Sequence, residues 1–123
     1  MRVYIAGAMT GIFEYKKYFM EAEDYVKELG HIVLNPAYLP EGLSDYYEIN
    51  KAMIDQCDAI YVLLGYENSV GTKKEIEYAT KTKKKVIYQN SGEFVGSGRS
   101  WLSENPLGYY GNIYNQFERR GIW

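Results

Sequence analysis

The sequence predicts a single α/β domain, a small Rossmann-like three-layer sandwich built on a parallel sheet of four or five strands. Short β-branched and aromatic runs alternate with segments of helical periodicity, from a first strand through three helices to a fourth strand. The third strand run, DAIYVLL, is apolar on both faces, which is typical of a central parallel strand. The chain has 123 residues, the length of one domain.

The first strand is predicted at Arg2 to Ala6, a β-branched and aromatic run that ends at Gly7. A helix of about four turns follows, and Gly30 is expected to adopt the left-handed conformation at its C-terminal cap. The second strand, His31 to Leu34, ends at Asn35-Pro36. The helix is inferred from apolar residues at helical spacing, which are Tyr15, Tyr18, Phe19, Ala22, Val26 and Leu29.

A loop that contains proline and glycine precedes the second helix, for which Ser44 is the predicted N-cap. The third strand is expected at Asp58 to Leu64, and a polar loop then runs from Gly65 to Thr72. The third helix is predicted from about Lys73 to Thr82, and Lys85 to Tyr88 forms the fourth strand. The predicted buried faces of the two helices hold Tyr46, Ile49, Met53, Ile54 and Cys57, and then Ile76, Ala79 and Thr80.

The C-terminal part of the chain differs from the rest. Residues 1–90 are predicted to form the core of the single domain 1–123, and residues 91–123 an aromatic extension with little periodicity. This extension is interpreted either as a strap over the core or as an arm on a neighbouring subunit. The chain contains 14 tyrosines, which suit interfaces and ligand pockets because each joins an apolar ring to a polar hydroxyl.

Composition excludes several classes of function. A net charge of −2 argues against a protein that coats nucleic acid, which needs a basic surface. A single cysteine excludes an internal disulfide framework and a cysteine-rich zinc site, and no cluster has metal-ligand spacing, so neither metal nor cofactor is expected. No apolar run reaches transmembrane length. We therefore expect a soluble, cytoplasmic protein with a small-molecule partner, in the host cytoplasm if a phage encodes it.

Two loops leave the carboxyl ends of predicted parallel strands, where ligands bind in open α/β sheets. The first contains Gly7 and Thr10, and the second contains Asn68, Ser69, Gly71 and Thr72. The glycines allow close approach of the backbone, the hydroxyls can donate, and each loop leads into a helix N-terminus that favours an anion. These six residues are predicted to bind substrate, as a cradle for phosphate.

Glu75 follows this second loop. Because it is placed in the first turn of the third helix, the helix dipole is expected to keep its carboxylate ionised. An ionised carboxylate beside a phosphate cradle suits a nucleophile that attacks a sugar carbon. The alternative is that Glu75 only complements the helix dipole.

These segments resemble the nucleoside 2-deoxyribosyltransferase-like superfamily over about residues 1–90. The resemblance rests on VYIAGAMTG at the first strand, on Asn35-Pro36 and on CDAIYVLLGYENSVGTKKEIEYA from Cys57. Its most specific element is S-x-G-x-x-x-E at Ser69, Gly71 and Glu75. More narrowly, the chain resembles small phage and bacterial members of unassigned function, and it is similar in layout to the deoxynucleoside 5′-monophosphate N-glycosidases.

The resemblance implies a role for each matched residue. Glu75 falls on the nucleophile that attacks C1′ and displaces the base, and Tyr4 falls on the tyrosine that holds it. Ser69 and Gly71 fall on positions that bind the 5′-phosphate. Relatives that act on free nucleosides carry an acid at the Ser69 position, where it would repel phosphate, so serine favours a 5′-monophosphate. Members of this superfamily also complete their sites across subunits, which implies a homodimer or a higher homo-oligomer.

Two residues depart from the superfamily pattern. Asn50 stands where an aspartate usually contacts the departing base, and an amide cannot serve as a general acid. Thr10 stands where the glycosidases use a basic residue. The sequence therefore supports two functions: an N-glycosidase or deoxyribosyltransferase with Glu75, Tyr4 and Asn50 as catalytic residues, or a nucleotide-binding module without turnover. A related phosphoribohydrolase is a third interpretation, because NSVGT matches the end of that family's glycine-rich motif.

Other polar residues are interpreted as structural. His31 follows a helix-ending glycine, Cys57 lies on a buried helix face, and Asp58 opens a strand. Lys73 and Lys74 are expected on a solvated helix face, with contact to phosphate as the alternative.

Overall fold

The computed structural model describes residues 1–91, and four of their segments pair as a parallel sheet. The strands are β1 (Arg2–Ala6), β2 (Ile32–Leu34), β3 (Ala59–Val62) and β4 (Lys85–Tyr88). Their spatial order is β2-β1-β3-β4, and β1 is central and has Tyr4 opposite Leu34 on one side and Ile60 on the other. The predicted α/β fold with a parallel sheet is confirmed.

Helices cover both faces of this sheet. Helix α1 (Tyr15–Glu28) packs on one face, and α2 (Tyr46–Asp55) and α3 (Val70–Lys81) pack on the other. Because side chains alternate along a strand, β1 contributes to both cores: Val3 and Ile5 pack toward α1, and Tyr4 packs toward α2 and α3. Tyr4 therefore lies beneath the two helices that carry Asn50 and Glu75.

Two helix starts differ from the sequence prediction. Helix α2 is capped by Asp45 rather than Ser44, because the Asp45 carboxylate accepts a hydrogen bond from the backbone N–H of Glu48 at 3.2 Å. Helix α3 begins at Val70, earlier than the predicted Lys73, and Ser69 is its N-cap. The second cradle loop is therefore partly helical, and Gly71 lies in the first turn of α3.

Two predicted buried positions are exposed. The Tyr46 side chain lies at the surface end of α2, where its hydroxyl accepts from the Leu43 N–H at 3.1 Å and donates to the Pro40 carbonyl. Thr80 faces solvent, and its hydroxyl donates to the Ile76 carbonyl at 2.8 Å. Because each hydroxyl has a backbone partner close in sequence, both side chains are accommodated at the surface and the core does not include them.

The turn after β2 is fixed by Asn35. Its Oδ1 accepts from the Ala37 N–H at 2.9 Å, and its Nδ2 donates to the buried carboxylate of Glu23 at 2.9 Å. A 3₁₀ turn at Pro36–Tyr38 follows directly. The Asn35-Pro36 pair thus sets the path by which the chain leaves β2 toward α2.

The residues interpreted as structural make contacts within the fold, away from the ends of the strands where ligands bind. Asp58 accepts from the backbone N–H of Arg2 at 2.8 Å and pairs with its guanidinium at 3.2 Å. His31 lies 2.9 Å from the N-terminal ammonium, and Cys57 is buried. Gly30 has a φ of +93°, as the predicted left-handed cap requires. Within residues 1–91, no helix has the length and apolar character that crossing a membrane requires.

The strand order creates a crevice at one end of the sheet. After β1 the chain moves outward to β2, and after β3 it moves in the opposite direction to β4. The loops that follow β1 and β3 therefore diverge, and in open α/β sheets ligands bind at this switch point.

Candidate active site

A cavity of about 710 Å³ lies at this switch point. The three predicted catalytic residues line it, namely Tyr4, Asn50 and Glu75. The six predicted substrate-binding residues line it as well, namely Gly7, Thr10, Asn68, Ser69, Gly71 and Thr72. Residues from the two cradle loops, from β1 and from two helices are thus brought to one place.

The carboxylate of Glu75 is held through one of its two oxygens. The hydroxyl of Tyr4 donates to Oε2 at 3.0 Å, and Nδ2 of Asn50 donates to the same oxygen at 2.8 Å. No other residue described in 1–91 donates to Oε1. The protein therefore holds one oxygen of Glu75, and the other has no donor within the described part of the chain.

The environment of Glu75 differs from the sequence prediction. Because α3 begins at Val70, Glu75 lies in the second turn of the helix, where the dipole has little effect. Burial raises the pKa of its carboxyl to about 7, against the lowering effect of the Tyr4 and Asn50 hydrogen bonds. The sequence predicts an ionised carboxylate through the helix dipole; in the structure desolvation exceeds the effects that favour the charge, so ionised and protonated Glu75 coexist near neutral pH.

Tyr4 keeps its proton under all physiological conditions. Its burial, with the nearby Glu75 carboxylate, raises the pKa of the phenol well above its usual value. The hydroxyl is therefore always available as a donor to Glu75.

The N-terminus of α3 forms the floor of the cradle. The Ser69 Oγ accepts from the Thr72 N–H at 3.1 Å and from the Thr72 hydroxyl at 2.8 Å. The Ser69 hydroxyl proton remains for a ligand, together with the first backbone N–H groups of the helix, at Val70 and Gly71. This arrangement offers donors without a positive side chain, which suits an anion or a hydroxyl.

The two glycines that line the cavity have different surroundings. A Cβ at Gly7 would lie 3.0 Å from the Leu63 side chain, so a larger residue there would displace the first loop. A Cβ at Gly71 would meet nothing within 4 Å. Gly7 is thus required for packing, whereas Gly71 leaves open space for a ligand.

The charged residues that line the cavity, within the part of the chain described, are acidic: Glu41 and Glu75. Lys73 and Lys74 are exposed and lie outside the cavity lining, and the Lys74 ammonium lies 5.8 Å from the centre of the Tyr47 ring. Sequence reasoning missed Glu41, because a glutamate in a surface loop carries no local signal of what it faces. It also missed the apolar lining contributed by Leu39 and Met9.

Across residues 1–91, no three His, Cys, Asp or Glu side chains converge to hold a metal ion. The absence of a metal in the working protein stays a prediction.

The fold of this chain is shared with a solved structure. A solved structure with the same architecture is the 2-deoxyribosyltransferase of the psychrotolerant bacterium Bacillus psychrosaccharolyticus, described as a biocatalyst for the synthesis of antiviral and antitumoral nucleosides. It matches with a TM-score of 0.59 and 20% sequence identity over 72% of this chain and 71% of that one. The chain therefore has a nucleoside 2-deoxyribosyltransferase-like fold.

Within that fold, the particular family is shown by the sequence. Residues 1–88 match the family described as a domain of unknown function, DUF4406, and the chain belongs to it. No curated protein matches the chain.

Proposed function

We propose that this protein cleaves the bond between base and sugar in a nucleotide, most favourably a 5′-monophosphate, as an N-glycosidase or deoxyribosyltransferase. The observation that carries the proposal is the arrangement of Glu75 in the cavity: Tyr4 and Asn50 hold its Oε2, and no donor among residues 1–91 reaches its Oε1. A carboxylate fixed in this way is suited to nucleophilic attack, because the attacking oxygen needs no rearrangement.

In the proposed reaction, ionised Glu75 attacks C1′ of the sugar through Oε1. A bond forms between Oε1 and C1′, and the bond from C1′ to the base nitrogen breaks, so the base departs with the electron pair. A water molecule or a second base then attacks C1′, and Glu75 is released as a carboxylate. The departing base takes its proton from solvent, because the amide of Asn50 can donate a hydrogen bond but cannot act as a general acid.

The cradle at the α3 N-terminus supports binding of the 5′ end of the substrate. Ser69 and the first backbone N–H groups of the helix offer neutral donors there. An ionised aspartate or glutamate at position 69 would repel a phosphate, whereas serine can donate to it. A 5′-monophosphate with its phosphate over α3 places C1′ of the sugar toward Glu75.

A second candidate is a nucleotide-binding module without turnover. It is favoured by Asn50, which lines the cavity but cannot protonate a departing base. In this case Glu75 would contribute a hydrogen-bond acceptor rather than a nucleophile.

The test is a panel of ribo- and deoxyribonucleoside 5′-monophosphates and the matching nucleosides, incubated with wild type, Glu75→Gln and Glu77→Gln. Glu77 is an exposed glutamate on the same helix and serves as the matched control. Free base is measured by chromatography, and binding by thermal shift. Gln at position 75 still offers an oxygen to Tyr4 and Asn50, so loss of activity would not reflect loss of that contact.

Release of base by wild type and Glu77→Gln, but not by Glu75→Gln, would support the proposal and identify the substrate. Thermal stabilisation by a nucleotide without base release, equal in all three proteins, would reject it in favour of the binding module. The predicted homo-oligomer is tested separately by analytical ultracentrifugation, which measures the mass in solution of the full chain, residues 1–123.

A further inference from the structure

The loop between β1 and α1 carries an exposed aromatic ring beside the cavity. Phe13 is 85% exposed, the most exposed of the large apolar side chains in residues 1–91. Thr10 before it and Tyr15 after it both line the cavity, whereas Phe13 itself does not. Because two residues of chain span no more than about 7 Å, the Cα of Phe13 lies within that distance of the Cα of Tyr15, at the rim of the cavity.

The backbone on both sides of Phe13 is in the left-handed region. Gly11 has a φ of +78°, which glycine adopts without strain, and a Cβ there would meet nothing within 4 Å. Glu14 has a φ of +58°, which is unfavourable for a residue with a side chain, and its side chain makes no capping hydrogen bond to α1. Strained positions of this kind occur at ligand clamps and hinges. A rotation at Gly11 and Glu14 moves the Phe13 ring without disturbing β1 or α1.

Few backbone contacts hold this loop in place. Among residues 1–91, its backbone makes one internal hydrogen bond, from the Ile12 N–H to the Met9 carbonyl at 3.1 Å. That bond closes the turn before Phe13 and does not involve Phe13 itself. The ring is therefore free to change its position at little cost in hydrogen bonds.

The chemistry of the ring limits what it can bind. A phenylalanine side chain has no hydrogen-bond donor or acceptor, so it offers nothing to a phosphate or to a sugar hydroxyl. The flat face of a base, in contrast, stacks on an aromatic ring, and every base has such a face. Closure over a base also removes the exposed ring from water, which favours the closed position.

We propose that Phe13 is a further substrate-binding residue: when a nucleotide enters the cavity, the loop turns at Gly11 and Glu14 and the ring stacks on the base. Stacking of this kind adds affinity for any base and does not select among them. The inference rests on the proposed function only for its ligand, because it requires that a nucleotide occupies the cavity and not that its base is released.

The test measures affinity without turnover, in Glu75→Gln protein, by isothermal titration calorimetry. The ligands are adenosine and cytidine 5′-monophosphates in ribo and deoxyribo forms, and ribose 5-phosphate and 2-deoxyribose 5-phosphate, which have no base. Phe13→Ala, Phe13→Trp and the control Ile32→Ala are compared in this protein. Ile32 is also apolar and exposed, at 64%, but it begins β2, at the end of the sheet away from the cavity.

We expect Phe13→Ala to weaken nucleotide binding about tenfold and to leave sugar phosphate binding unchanged, because a stacked ring contacts the base alone. Phe13→Trp and Ile32→Ala should keep the nucleotide affinity. Hydrogen–deuterium exchange reads the movement of the loop: the backbone N–H groups of residues 11–14 should exchange more slowly with saturating nucleotide, and this slowing should be lost in Phe13→Ala.

Nucleotide affinity that is equal with and without the Phe13 ring would overturn the inference and leave the proposed function intact. An equal loss for sugar phosphates would overturn the assignment to the base, and exchange that nucleotide does not slow would overturn the movement of the loop. Unchanged affinity with a lower mass of Phe13→Ala in ultracentrifugation would assign the ring to a contact between copies instead.

The same measurements separate this inference from the proposed function. The expected loss of affinity in Phe13→Ala, together with no base release by wild type, would reject the proposed function and leave Phe13 as a nucleotide-binding residue. No nucleotide binding by any of these proteins would reject both.

Discussion

The Tyr4 hydroxyl donates to Oε2 of Glu75 at 3.0 Å, which joins the central strand to helix α3 across 71 positions of sequence. Both residues are buried, so this contact forms away from bulk water, where a hydrogen bond is strong. It leaves the carboxylate in a single orientation and fixes which of its oxygens faces the cavity.

The raised pKa of Glu75 predicts a pH-dependent cost to stability. The folded chain holds this proton up to about pH 7, and the unfolded chain releases it near 4.5, so folding loses stability as pH rises through this window. Over the full window the loss reaches up to about 3 kcal/mol, at about 1.4 kcal/mol for each pKa unit. Glu75→Gln removes the effect.

The measurement is urea unfolding of wild type and Glu75→Gln between pH 4 and pH 8. The free energy of unfolding of Glu75→Gln should exceed that of wild type by a margin that grows with pH. Other titrating groups are shared by the two proteins and cancel in the difference. A difference that stays constant over this range would contradict the raised pKa.

Tyr4→Phe should raise the pKa of Glu75 further, because the substitution removes one of the two donors that favour its charged form. If the proposed nucleophile must be ionised, the rise of kcat/KM with pH shifts to higher pH, and activity at pH 7 falls about tenfold. Part of the lost rate should return at high pH.

Tyr61→Phe is the matched control, since Tyr61 is a buried tyrosine on β3 that packs on the other face of the sheet. Its pH profile should match that of wild type. An unshifted midpoint in Tyr4→Phe would show that the Tyr4 contact does not govern Glu75.

The fold was largely predictable from sequence, and the state of the site was not. Strands β1 and β4 have the predicted ends, because each is a short apolar run with clear boundaries. Helix α3 begins earlier than the sequence predicts. Gly71 has low helix propensity and therefore indicates a loop, but the N-cap at Ser69 outweighs that preference. The pKa of Glu75 depends on its burial, which raises it, and on hydrogen bonds from Tyr4 and Asn50, which lower it. Tyr4 and Asn50 lie far from Glu75 in sequence, so the helix dipole alone does not predict this pKa.

Asn50→Asp should place a proton donor beside the departing base. Two carboxyls that share a site cannot both ionise easily, so the introduced carboxyl and Glu75 together retain one proton near neutral pH. That proton is available to the leaving base, and positioned proton transfer contributes on the order of a hundredfold to rate. We expect faster base release with a bell-shaped pH profile in place of a plateau.

Asn50→Ala provides the comparison, because it removes the donor to Glu75 without adding an acid. Asn50→Ala should lower the rate of base release and shift the pH profile to higher pH. At acid pH its rate should fall below that of wild type, whereas the rate of Asn50→Asp should rise above it. Equal losses of rate in the two variants would mean that proton transfer to the base does not limit this protein.

Ser69→Asp separates the two roles of the α3 cap. Aspartate caps helices as well as serine does, and its charge complements the helix N-terminus, so the free energy of unfolding should change by less than about 1 kcal/mol. The same carboxylate lies in the cradle, where it repels a phosphate but can accept a hydrogen bond from a 5′-hydroxyl. We expect kcat/KM for 5′-monophosphates to fall about tenfold to a hundredfold, with nucleosides unaffected or improved.

Ser69→Ala is the control for this substitution, because alanine lacks both the capping oxygen and the charge. It should lose about 1 kcal/mol of stability without reversing the preference between monophosphates and nucleosides. Urea unfolding measures the first effect, and the ratio of kcat/KM values for the two substrate classes measures the second. If monophosphates and nucleosides respond equally to Ser69→Asp, the phosphate does not lie over α3.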